Sequence, residues 1–358
     1  MPDLATFVAA LSVRDGALWV LALSVAALVA LSFLFAMYTM LLRAGHEIRE
    51  ARWRRLTARW QEPLLQALMD PEAEAGIHRL VGPRERLHFV QFALEYARRV
   101  IGAERETLQR LARPYLAPLV PRTLHRHQEV RTRAVQTLGA LGLPEHADAV
   151  TAALDDPSPL VAMVAATALA RRDDARYAEA ILRRLYRFDT WSPNFLAAML
   201  AGMGPGGAEA LREVMADPTE PARVRAIAAR ALAELPDLQA GPAAAAVVEI
   251  EEDPDLLASA LRLLTQVGFP EHARYIRVRC ASPDAAVRST ALRALGALGQ
   301  EGDMPRLIGA MSDPSPWVAI SAARGIHDAG GEQLLRDLAE SEHPRAVVAR
   351  QVLAEHGS

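Results

Sequence analysis

From Val130 onward the chain repeats itself every 30 to 32 residues, and that period constrains its fold more than any other feature. With Val130 as a marker, equivalent positions fall at Val161, Ser192, Val224, Leu256, Val287, Val318 and Val348. Four residues later stand Ala134, Ala165, Leu196, Ala228, Ala260, Ala291, Ala322 and Val352; eight later stand Leu138, Leu169, Leu200, Leu232, Leu264, Leu295 and Ile326. At 3.6 residues per turn these offsets share one helical face, so each period holds an amphipathic helix with its apolar stripe in the same place. Twelve residues after the marker, Gly142, Gly204, Gly268, Gly299 and Gly330 are predicted to stop that helix in left-handed backbone, with Asp173 and Pro236 as the exceptions. A second amphipathic stretch follows, as at 150–154 and 307–311, and a proline closes it, most often after an Asp able to cap the next helix. One such helix pair cannot bury its stripe alone, so the pairs must stack. A chain that is 51% hydrophobic but only 5% aromatic, rich in Ala and Leu, suits many short helices rather than a sheet.

The pattern, written as VR at Val130, Val224 and Val287 followed by small, Leu and Gly positions, resembles HEAT and HEAT-like repeats of the phycobilin-lyase type over residues 128–358. The resemblance implies an all-α fold: an α-solenoid of HEAT-like helix pairs, here preceded by a single transmembrane helix. Val90, Leu94 and Gly102 keep three of the offsets, which marks 84–127 as a degenerate leading repeat followed by a proline-rich joint at 114–121. The tetrapeptide PEHA recurs at 144–147 and 270–273, and Trp191 and Trp317 are spaced by the same 126 residues, the length of four periods; a four-repeat block was duplicated.

Residues 16–42 contain no charge. As a helix these 27 residues run roughly 40 Å, longer than the ~30 Å hydrocarbon core of a bilayer. A cleaved signal peptide has a basic start and about 7 to 15 apolar residues; here the first 13 residues carry only Asp3, and no small-residue cleavage site follows. The reading is therefore a short extracytoplasmic N-terminus at 1–15, a membrane span at 16–42 and a basic juxtamembrane helical linker at 43–83. Asp3, Arg14 and Asp15 precede the span, whereas Arg43, Arg49, Arg52, Arg54, Arg55 and Arg59 follow it, so the positive-inside rule puts the N-terminus outside an inner (cytoplasmic) membrane and the repeats in the cytoplasm. Trp53 and Trp60, with Arg52, Arg55 and Arg59 on another face, are the expected membrane-interface residues; the alternative is that the arginines only set topology and the apolar face packs on the next helix.

Much chemistry is excluded. All 40 basic residues are Arg, which removes Schiff-base catalysis and Lys-dependent phosphate loops. Cys280 is the single cysteine, so no internal disulfide and no Cys-rich metal site can form; its Arg279 neighbour would favour the thiolate, while packing would leave it inert. His125 and His127 lack further ligands at metal-binding spacing. Glu145–His146 and Glu271–His272 recur through duplication. Deoxyhypusine hydroxylase resembles the chain in its HEAT-like repeats and holds iron through His-Glu dipeptides, but the one such dipeptide here, His46–Glu47, lies outside the repeats. HEAT-like DNA glycosylases resemble it too, yet residues 128–358 carry 23 Arg against 31 acidic residues, which opposes nucleic-acid binding.

Two features stand out. Tyr186, Phe188, Trp191 and Phe195 gather four of the 19 aromatic residues into ten positions, either as an interface anchor or as filler of a wider gap between repeats. Arg184 and Arg279 share a repeat phase and form either a candidate ledge for an acidic partner or a solvated helix face with local salt bridges to Asp and Glu. The expectation is a membrane-anchored cytoplasmic scaffold or adaptor that binds a membrane-associated protein, without cofactor, metal, small-molecule substrate or nucleic acid, and not an enzyme. Its layout resembles HEAT-repeat accessory subunits of envelope systems such as membrane glycosyltransferases for exopolysaccharide. The alternatives are a membrane-tethered HEAT-like lyase or metal-dependent hydroxylase, or a membrane-linked sensor.

Overall fold

The computed structural model describes the backbone from Leu4 to His356 except Arg98, Ile101, Asp173, Pro236 and His343, and side chains from Leu23 except at those positions and at Ala26, Gly45, Arg49 and Pro71. The helix stops assigned to Asp173 and Pro236, and the side chains of Asp3, Arg14, Asp15 and Arg49, lie outside the described residues. The chain forms two compact units, Met1–Tyr115 and Leu116–Ser358. Among the described residues there is no strand.

The first unit is built on one helix, α1 (Leu4–Met69), of 66 residues. At about 1.5 Å per residue it runs roughly 100 Å. By length and composition it can cross a membrane. Its described apolar part, from Leu23 to Leu42, leaves its large side chains exposed, uncovered by any other element among the described residues. Thr39 Oγ1 donates to the Ala36 carbonyl (2.8 Å), so its hydroxyl is satisfied within the helix. The far end of α1 packs with α2 (Glu74–Leu80), α3 (Arg86–Ala97) and α4 (Ala103–Ala112). Leu56, Trp60 and Leu64, at spacings of four, are all buried there. Trp60 meets Phe89 edge-on (5.4 Å, 89°), and Phe89 meets Tyr115 at 5.5 Å.

The second unit is an α-solenoid. After 3-10 turns at Ala117–Leu119 and Pro121–Leu124, helix pairs follow in order: α5 (Gln128–Leu141) with α6 (Ala147–Ala152), α7 (Pro159–Leu169) with α8 (Ala175–Leu182), and α9 (Pro193–Ala201) with α10 (Pro205–Ala216). Next come α11 (Ala222–Glu234) with α12 (Ala240–Ile250), α13 (Pro254–Val267) with α14 (Ala273–Arg279), α15 (Ala285–Leu298) with α16 (Met304–Ala310), α17 (Pro316–Asp328) with α18 (Glu332–Glu340), and finally α19 (Ala346–His356). Every residue at offsets four and eight is buried, as the periodicity requires. The marker position itself is less uniform: Val130 and Val348, at the ends of the array, are half-buried, and Ser192 is exposed at the N-cap of α9.

The glycine stops divide into two kinds. Gly142, Gly204 and Gly330 have φ of 67°, 66° and 81°, the left-handed region that penalises a side chain. Gly268 (φ −75°) and Gly299 (φ −70°) do not, and the expectation of left-handed caps is corrected there. They are small for another reason: a Cβ would stand 2.5 Å from the Leu264 carbonyl oxygen at Gly268 and 2.4 Å from that of Leu295 at Gly299.

The stacking is interrupted once. First helices pack directly on one another from α5 to α7 and from α9 through α19, whereas between α7 and α9 the 3-10 turn Leu185–Phe188 stands against α7. Phe188, on that turn, is fully buried.

Candidate partner-binding surface

The aromatic cluster splits by role. Phe188 is core, which corrects its expected place at an interface: the ring is fully buried on the turn that stands against α7. Tyr186, two residues earlier on the same 3-10 turn, is 65% exposed, and Phe195 on the first turn of α9 is 44% exposed. Half-buried Trp191 stacks on Phe195 at 5.4 Å and 28°. The loop carrying them is pinned by Arg223, whose Nη2 donates to the carbonyls of Asp189 (3.1 Å) and Trp191 (3.0 Å). The loop geometry is thus held while two of its rings stay exposed.

The arginine ledge does not project. Arg184 is held by Asp155, its Nε donating to Oδ1 and its Nη2 to Oδ2, both at 2.7 Å. This hydrogen bonding holds the Asp155 carboxyl below its usual range against the opposing effect of burial. Arg279 is spent on backbone: Nε donates to the Val248 carbonyl (2.7 Å) and Nη2 to those of Glu249 (2.9 Å) and Glu251 (2.8 Å). A cation there satisfies the orphan carbonyls at the end of α12. The shared repeat phase was a false guide, because the equivalent of Arg279 is Arg187, which donates to the carbonyls of Leu154 (3.0 Å) and Asp156.

That equivalence exposes a device the sequence reading missed. Arg131 takes the Asp156 carboxylate with both its Nε (2.7 Å) and Nη2 (2.9 Å), while Arg187 takes the carbonyl of the same residue. Arg225 donates to Glu251 Oε2 (2.6 Å) and Arg279 to the Glu251 carbonyl. Arg288 forks onto Asp313 (2.9 and 3.1 Å), and Arg345 donates to the Asp313 carbonyl (3.1 Å). In each case one arginine comes from the same repeat and the other from the next. The signal was available: the first arginine is the R of VR, 25 or 26 residues before its acid. At Asp156 and Glu251 burial works to raise the carboxyl, and hydrogen bonds and the charge of the paired arginine overcome it; at Asp313 the Arg288 hydrogen bond leads; all three are lowered.

The membrane-interface residues also separate. Trp60 is fully buried in the aromatic core of the first unit, and its assignment to the membrane interface is corrected: it stands 18 residues past Leu42, roughly 27 Å along α1. Trp53 is half-buried, with its ring 6.3 Å from that of His88. Arg59 donates to the Leu80 carbonyl (2.8 Å) and to Glu85, so it braces the unit rather than facing lipid. Arg52 and Arg55 are exposed.

The remaining titratable candidates are structural. His146 and His272 are buried in 3-10 turns, and His272 Nδ1 accepts from the Phe269 N–H (3.1 Å). His125 Nδ1 accepts from the His127 N–H (3.1 Å), and His127 Nε2 accepts from Arg126 (3.0 Å). The Cys280 thiol is pushed up to about 12 by burial, the opposite of the activation its Arg neighbour suggested. A mainly apolar cleft of about 610 Å³, lined by Val120, Leu124, Ala149, Ala153 and Pro157 and edged by Asp155 and Arg131, was not anticipated.

The stacked helix pairs agree with one family description: residues 116–193 and 245–327 match the model for HEAT repeats. Those two stretches carry HEAT repeats. No curated protein matches it. Solved structures similar to it include the complex of CpcE and CpcF of phycocyanin lyase from Nostoc sp. PCC7120 (19% identity, 67% of this chain and 87% of that one, TM-score 0.32). An engineered protein is similar at 19% identity over 80% of this chain and 81% of that one (TM-score 0.33). Human deoxyhypusine hydroxylase in complex with glycerol is similar at 22% identity over 66% and 92% (TM-score 0.28). The expectation that the chain is not an enzyme is corrected here, since proteins named as a lyase and a hydroxylase have HEAT-like folds and the fold gives no ground for that exclusion.

Proposed function

We propose that this HEAT-repeat chain is a membrane-tethered scaffold that binds a membrane-associated protein at the surface formed by Tyr186, Trp191 and Phe195. The observation that carries the reading is the exposure of Tyr186 and Phe195 beside a buried Phe188, in a solenoid otherwise poor in aromatics. Exposed, pre-ordered rings are the usual anchors of protein interfaces. The tether is the apolar part of α1, with Arg residues beyond it favouring a cytoplasmic solenoid. The finer reading is an accessory subunit of an envelope system such as a membrane glycosyltransferase for exopolysaccharide; its support is the layout alone, one anchor followed by a solenoid.

Photo-crosslinking from position 186 in native membranes identifies the partner and supplies the binding assay. Tyr186→Ala with Phe195→Ala should change folding stability by no more than about 0.5 kcal/mol and weaken capture by about 2 kcal/mol or more. Phe188→Ala should instead cost about 3 to 5 kcal/mol of folding stability. Full capture by the double variant at equal protein level would refute this surface.

A further inference from the structure

Helices α17 and α19 pack together and finish with their terminal side chains in contact. The rings of His327 and His356 stack with centroids 4.0 Å apart, and donor atoms of His327, Asp328 and His356 all lie within 4.8 Å of one another. We propose that these three residues form a binding site for a divalent transition metal of the zinc class, closing the last repeat onto its neighbour.

The surrounding contacts leave the right atoms free. His356 Nδ1 is engaged with the Val352 carbonyl (2.9 Å), which fixes the tautomer with the proton on Nδ1 and leaves Nε2 as a lone-pair donor. Asp328 Oδ2 is held by Arg293 Nη2 (3.3 Å), which orients the carboxylate with Oδ1 towards His327. His327 Nδ1 stands 3.7 Å from that Oδ1. This is too long for a hydrogen bond, but close to the ~3.4 Å that separates two donors each about 2.0 to 2.1 Å from a tetrahedral ion. Two imidazoles and one carboxylate match the nitrogen and oxygen preference of zinc and leave a fourth position for water or a ligand from another molecule. The other histidine pair, His125 and His127, has an acceptor nitrogen of each ring taken by a local N–H donor and presents no such arrangement.

The test is titration of the full chain, solubilised and stripped with chelator, with Zn²⁺, and with Co²⁺ as a spectroscopic probe of imidazole ligation. One ion per chain should bind with a Kd of about 1 µM or tighter. His327→Gln and His356→Gln should each weaken it by about 100-fold or more, while His125→Gln with His127→Gln leaves it unchanged. At 100 Kd of free zinc, amide exchange through local opening of α19 should slow about 100-fold, because the ion binds only the closed arrangement. Absence of a stoichiometric ion overturns the site; so does binding that survives both histidine variants, or exchange in α19 that zinc does not alter.

Discussion

The two units bury their interiors in opposite ways. The first concentrates large rings, Trp60, Phe89, Phe92 and Tyr115, around the end of a single helix. The second spreads small contacts over many equivalent places, with alanine and leucine at fixed offsets and arginines that reach from one repeat to a carbonyl of the one before. A core of few large side chains stands or falls with each of them, whereas a stacked array shares its stability between neighbours.

The sharpest way to break this contrast is Trp60→Ala. It should cost about 3 to 5 kcal/mol, the cavity penalty for a large buried ring, with hydrogen exchange loosening residues 52–115 and sparing the solenoid. A second, smaller effect is expected from Arg225→Met. Removing one partner leaves the Glu251 carboxylate without its charged partner, with only the Glu252 and Asp253 N–H groups on Oε1, at a cost of about 3 kcal/mol, and the loss should be confined to α11 through α14. Adding Glu251→Gln should recover much of it, because no unpaired charge then remains; equal loss in the double variant would show that Arg225 acts through packing alone.

The mildest test uses acid. The carboxyls of Asp156, Glu251, Asp303 and Asp313 are all lowered in the folded chain. A group lowered on folding contributes stability that is fully present above its unfolded pKa, about 4 for a carboxyl, and lost as pH falls through its folded value. Protection in the solenoid should therefore decline progressively below pH 4. In the first unit the resolved lowering is at Glu85, where the Arg59 and Gly82 hydrogen bonds outweigh burial, so its acid response should be shallower. Parallel acid curves for both units would remove the distinction.

The repeat phase was legible because burial at offsets four and eight follows from helical geometry alone, whatever the neighbours. What repeated spacing could not fix was the partner of each polar group. Arg184 and Arg279 occupy one sequence phase, yet one meets a carboxylate and the other a helix end, because the arginine that takes the place of Arg279 is Arg187, three residues after Arg184. Gly268 and Gly142 likewise share an offset with different backbone. In the first unit the ambiguity was physical: an apolar stripe with a tryptophan looks the same whether it meets lipid or protein. Within the aromatic cluster, sequence located the irregular repeat, but only the break between α7 and α9 decided which ring lay inside.

The uninterrupted helix from Leu4 to Met69 also sets an angular relation between its apolar part and the unit core. Each residue turns an α-helix by about 100°, so one residue inserted between Leu42 and Arg52 would swing the Trp60 face by that angle around the axis. Seven inserted residues return it to within about 20°. Tolerance of insertions in this stretch should accordingly oscillate with the helical turn rather than fall with length, as in a keyed shaft.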